Sequence, residues 1–93
     1  MTVGDARIRD TILALIAARA EGATICPSDA ARALAPGDER AWRALMPQVR
    51  RVADELKARG LIRVTARGVD IASAQEAHGP IRLRRPQGDP PAN

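Results

Sequence analysis

Hydrophobic positions recur with helical spacing through the first two thirds of the chain and switch to alternation in the last third. In the stretch WRALMPQVRRVADELKARG, Trp42, Leu45, Met46, Val49, Val52, Ala53 and Leu56 fall within an arc of about 120°, the width of a core-facing helical stripe. This stretch is expected to be the central helix. Upstream, Ile8, Ile12, Leu15 and Ile16 repeat at i, i+4, i+7 and i+8, with Asp5 as a candidate N-cap and Gly22 as the stop. Ala23-Thr24-Ile25 is short and β-branched, enough for a few extended residues. Cys26-Pro27-Ser28-Asp29 then opens a second helix, with Pro at the first helical position and Ala30, Ala31 and Leu34 facing inward. Ala35-Pro36-Gly37 breaks it, and Asp38 is placed to cap the central helix.

Pro47 lies inside the central stripe, where it removes the donor for the Arg43 carbonyl. The stripe keeps its phase across it, so the sequence predicts either a kinked helix or a short turn over 39–45 followed by a helix from Pro47. Gly60 suits the left-handed position after a helix end. Leu61 to Thr65 alternates, with Ile62 and Val64 on one side and Arg63 and Thr65 on the other. Ile81 to Arg84 alternates again, with Ile81 and Leu83 inward and Arg82 and Arg84 outward. These two runs predict a C-terminal β-hairpin with a long connection, in which Ser73 and Glu76 have the spacing of a capping box. The domain is expected over residues 5–86, with a Pro-rich, disordered tail over 87–93.

Composition narrows the class. Ninety-three residues suffice for one small domain. Trp42 is the only aromatic residue, and it is expected to be buried as the anchor of the helix packing. A single Cys excludes an internal disulfide and suits a reducing interior. No stretch reaches the length of a membrane span, and the acid-bearing N-terminus lacks the apolar region of a secretory signal. A cytoplasmic location is expected.

Charge is unevenly distributed. Residues 40–85 carry eleven basic side chains against four acids, whereas the first 39 carry four against six. That asymmetry points to a polyanionic partner for the central helix and hairpin. On the helix, Arg43, Arg50 and Lys57 recur every seven residues on one flank, and Arg51 points away from the core. On the hairpin, Arg63, Arg82 and Arg84 share one face, where like charges opposite each other are destabilising unless something offsets them. Arg67 at the start of the wing and Arg85 at its end extend the patch. The candidate nucleic-acid contacts are therefore Arg43, Arg50, Arg51, Arg63, Arg67, Arg82 and Arg84. Against this, Arg50 with Asp54 and Arg51 with Glu55 have the i,i+4 spacing of an ordinary solvated helix surface.

Catalytic chemistry finds no foothold. Cys26 sits near a helix N-terminus, which favours a thiolate, yet no second Cys or nearby His accompanies it, and a buried structural role is expected. His78 is a lone loop residue. No phosphate-binding glycine loop, carboxylate pair or nucleophile–base arrangement occurs, so neither an enzyme nor a cofactor is expected. The lack of further aromatics argues against binding single strands by base stacking.

Helix, short strand, helix, helix, strand, long connection, strand is the order of a winged helix: α+β, mainly α, with three helices and a C-terminal wing. The motifs ICPSDAARAL, WRALMPQVRRVADELKARGLIRVT and GPIRLRRP resemble a small bacterial family of unknown function with winged-helix architecture, over Ile8 to Pro86. The resemblance implies the fold and carries no site residues. The expected function is binding of double-stranded DNA, in a transcription-regulatory setting; the alternative is a protein-interaction module that meets an acidic partner. Oligomeric state is left open.

Overall fold

The computed structural model describes residues 3–86; the tail expected over 87–93 lies outside the described residues. Three helices come first, α1 (Asp5–Ala17), α2 (Pro27–Leu34) and α3 (Glu39–Ala58), with the short strand β1 (Thr24–Ile25) between α1 and α2. Strands β2 (Arg63–Ala66), β3 (Val69–Asp70) and β4 (Arg82–Arg84) follow. The four strands form one antiparallel sheet in the order β1-β4-β2-β3. The fold is thus α+β, three helices and a four-stranded sheet, and no helix among the described residues is long and apolar enough to cross a membrane.

One apolar core joins the layers. Ile8, Ile12 and Ile16 of α1, Ala30 and Ala31 of α2, and Val49, Val52, Ala53 and Leu56 of α3 meet Ile25, Ile62, Val64, Ile81 and Leu83 from the sheet side. The alternation expected for the last third therefore holds at Ile62, Val64, Ile81 and Leu83. Thr65 departs from it: expected to face outward with Arg63, it is only 2 % exposed. Its cross-strand partners are Asp70 on one side and Arg82 on the other, whose longer side chains flank it.

The α3 helix runs unbroken from Glu39 to Ala58 with Pro47 inside it. Pro47 is exposed, so the Arg43 carbonyl that it leaves without a donor is open to water, which lowers the cost of the break in the ladder. Asp38 caps the helix as expected, accepting from the Ala41 N–H at 3.0 Å. At the other end Gly60, at φ +74°, donates to the Lys57 carbonyl and Leu61 to that of Leu56, the paired bonds of a Schellman motif.

Several expectations are corrected. Trp42 is half-buried and packs against the edge of the core, as do Leu45 and Met46; the fully buried part of the stripe begins at Val49, so the first two turns of α3 project past the core. Asp5 is no cap: it lies inside the first turn of α1, behind Gly4. The first helix ends at Ala17, five residues before Gly22. Cys26 is the N-cap of α2 and is half-buried rather than buried. The single hairpin becomes two pairings, because β2 turns tightly into β3 before the chain crosses back as β4. That turn consists of Arg67 and Gly68, at φ 55° and 81°, the two left-handed positions of a type I′ turn.

Candidate nucleic-acid interface

The outer face of the sheet is built by strand register. Arg63 stands directly opposite Arg84, and Arg82 opposite Thr65; on the far side of β4, Thr24 pairs with Arg84. Arg63, Arg82 and Arg84 are therefore neighbours on one face, as their alternation predicts. Each is also held by its own contact. Arg63 Nε lies 3.0 Å from Asp70 Oδ1. Arg82 Nε donates to Thr24 Oγ1 at 2.7 Å, and its Nη1 donates to Cys26 Sγ. Arg84 Nη2 reaches the Gly22 carbonyl at 3.4 Å. The partners fan the three guanidinium groups apart, which relieves part of the repulsion between facing strands. All four contacts lie in solvent-facing surroundings, so an incoming anion competes for the same donors.

Arg67 occupies the tip of the β2–β3 turn and is exposed. Arg43 is exposed on the leading half of α3, where its Nε pairs with Glu39 at 2.6 Å. Arg40 lies exposed one turn before Ala44 on the same leading half. The first turns of α3 therefore offer cations to solvent on the side away from the core.

The structure sets Arg50 and Arg51 apart from the other five. Arg50 Nη1 donates to the Ala74 carbonyl at 2.8 Å, so its head is turned to the connection between β3 and β4. Arg51 grips α1: Nη1 and Nη2 meet the two carboxylate oxygens of Asp5 at 3.0 and 2.7 Å, and Nη1 also reaches Glu55 at 2.9 Å. Fork-to-carboxylate geometry of this kind is strong and orienting. The hydrogen bonds from Arg51, and after them that from Gln48, hold the Asp5 carboxyl below the usual carboxylate range. Arg51 is correspondingly raised, chiefly by its bond to Asp5. Both arginines fasten parts of the fold, Arg50 the connection and Arg51 the start of α1, and the Arg51 side chain remains 41 % exposed. Arg85 does likewise: its Nη2 donates to the carbonyls of Ala17 and Arg19 at 3.3 and 2.9 Å, closing the C-terminal end of α1.

The sequence did not single out Asp54, which proves to be the centre of a small network. Its carboxylate accepts from the Ser73 hydroxyl at 2.8 Å, the Ala74 N–H at 2.6 Å, the Gln75 N–H at 3.1 Å and the Gln75 side-chain amide at 3.2 Å. Burial works to raise this carboxyl, and the donated hydrogen bonds outweigh it and leave it lowered. The available signal was Ser73 with Glu76, whose capping geometry is present as the Glu76 N–H on Ser73 Oγ at 3.3 Å. Between this connection and α3 lies an open cleft of about 300 Å³ lined by Met46, Pro47, Arg50 and Gln75.

A three-helix α+β domain with a basic open sheet face and a projecting helix end is the class that fold and surface define. Residues 5–86 match a family described as protein of unknown function (DUF3253), and the chain belongs to that family. No curated protein matches it in sequence.

Proposed function

We propose that the chain is a small winged-helix protein that binds double-stranded DNA. The observation that carries this reading is the open sheet face, where strand register sets Arg63, Arg82 and Arg84 side by side. Two further features support it. Helices α2 and α3 are joined through residues 35–38 in the manner of a helix-turn-helix, and the leading turns of the second helix, the part that meets base edges in such motifs, expose Arg40 and Arg43. The β2–β3 turn with Arg67 at its tip is the wing. Arg50, whose head is turned to the connection between β3 and β4, supports this surface from within; Arg51 is paired with Asp5 and Glu55.

Binding of a labelled random duplex across a salt series tests the reading. If about four phosphates are neutralised, affinity falls with a log–log slope near −3.6, roughly a hundredfold between 50 and 200 mM salt. Replacing Arg63, Arg82 and Arg84 together by Gln should flatten the slope by up to about three phosphate contacts. Arg50→Gln should leave it unchanged. A protein that binds no duplex at low salt would instead be an interaction module for an acidic partner; Val69, 66 % exposed on the outer strand β3, is an apolar feature that favours this second reading.

A further inference from the structure

Trp42 is the only aromatic side chain, and two arginines from different helices converge on it. The guanidinium carbon of Arg32, from α2, lies 4.6 Å from the ring centroid, and that of Arg43, from α3, lies 5.1 Å away. Trp42 is half-buried, and Arg32 and Arg43 are exposed, so one ring gathers two cations at the surface where α2 and α3 meet. An aromatic face attracts guanidinium groups, and their mutual repulsion opposes the gathering. A guanidinium stacked on a ring keeps its in-plane N–H donors available. On the sheet face Arg63, Arg82 and Arg84 all direct donors to protein acceptors; here Arg43 does so to Glu39.

The acids beside this cluster are Glu39 and Asp38. Glu39 takes Arg43 Nε at 2.6 Å, and Asp38 is engaged by the Ala41 N–H. Arg32 has no ion pair among the described residues, and exposed Arg40 sits on the next turn. Arg32, Arg40 and Arg43 are thus all exposed, and Glu39 is the acid paired with one of them among the described residues. The cluster therefore suits an anion presented on an extended backbone.

We propose that Arg32 and Arg43, gathered by Trp42, form a clamp for one phosphodiester of duplex DNA at the leading end of α3. Trp42 is a positioning residue, and Glu39 holds Arg43 in reserve and yields it when phosphate arrives. The proposal rests on the DNA-binding reading and adds a site separate from the sheet face.

Duplex DNA is titrated into the full chain at low salt, with anisotropy of the labelled duplex and the emission of Trp42 followed together. Wild-type binding should shift the Trp42 emission. The double variant Arg32→Gln/Arg43→Gln should bind about tenfold or more weakly, with the salt slope reduced by about one phosphate contact. Glu39→Gln should tighten binding severalfold by releasing Arg43. Trp42→Phe, which keeps an aromatic face, should stay close to wild type, and Trp42→Leu should weaken binding while its far-UV signal remains folded. If Trp42→Leu does not fold, the arginine pair decides, since both are surface residues. Duplex binding with an unchanged slope in the double variant and unshifted Trp42 emission would overturn the clamp and leave the DNA-binding reading standing. No duplex binding by the wild type would overturn both.

Discussion

Arg67 holds a left-handed backbone, φ 55°, beside Gly68 at φ 81°. That conformation costs a side-chain-bearing residue about 1 to 2 kcal/mol, and Asn bears it better than Arg. An arginine kept at a position that Asn-Gly would fill more comfortably is a case of local strain on an exposed, unoccupied side chain, which fits the proposed contact with a phosphate backbone. Arg67→Asn should therefore raise stability by about 0.5 kcal/mol, an increase of a few degrees in Tm for a domain of this size, and should lower duplex affinity. Calorimetry and anisotropy on one preparation check both signs; a variant that melts lower than wild type would remove the strain argument. Single residues also show where the sequence stops speaking. Alternation placed Arg63, Arg82 and Arg84 on one face, but Thr24, Cys26 and Gly22, which hold Arg82 and Arg84, come from the far end of the chain, and no local pattern joins them. Trp42 was misplaced for a related reason. Its helical phase is that of the core, but phase fixes only the side of a helix, and the fully buried stripe begins about two turns further along, at Val49.

At the scale of elements, α1, α2 and α3 were legible because each is several turns long and opens or closes on a residue with a specific backbone role, such as Pro27, Asp38 and Gly60. The β2–β3 pair was not, since β3 is two residues long and cannot display alternation. The alternation predicts one long connection from Arg67 to Pro80 with a capped turn at Ser73, and what fastens its part after β3 is Asp54 on α3, a residue with the spacing of an i,i+4 surface pair with Arg50. Instead both side chains point at the same connection, Arg50 to the Ala74 carbonyl and Asp54 to the Ala74 N–H. The consequence for pH follows from the lowered Asp54 carboxyl. A carboxylate whose folded value is depressed stabilises the fold fully above its unfolded value, near 3.8, and loses that contribution as pH falls through the lower folded value. Asp54→Asn should cost about 1 to 3 kcal/mol at neutral pH, since part-buried donors lose a charged acceptor. It should also flatten the stability profile below about pH 4. Hydrogen exchange at the Ala74 and Gln75 amides localises the effect; protection there equal to that of the wild type would show that Asp54 is not what fastens the connection.

Across the whole molecule, the order β1-β4-β2-β3 gives the last strand an internal place. Strands β1 and β2 do not pair with each other; β4 lies between them and bonds to both. It also sends Arg82 and Arg84 to β1 and its vicinity, while Arg85, just past its end, closes α1. The strand thus ties the sheet and the first helix together, and its core contribution is concentrated in Leu83, 0 % exposed, with Ile81 beside it at 2 %. Removing a buried Leu side chain to Ala costs about 2 to 5 kcal/mol. A domain of this length has only about 4 to 12 kcal/mol to lose, at the usual stability per residue. Leu83→Ala should therefore bring the domain close to its unfolding midpoint at room temperature, whereas Arg84→Ala on the opposite face of the same strand should shift the denaturant midpoint far less. The location of Trp42 makes the test sharper. It sits where α2 and α3 meet, away from β4, so its fluorescence reports on a different part of the fold from the sheet. If β4 closes one cooperative unit, the fluorescence and far-UV transitions of Leu83→Ala move together to lower denaturant. A fluorescence transition that stayed at the wild-type midpoint while the far-UV signal moved would mean that the helices hold without the sheet.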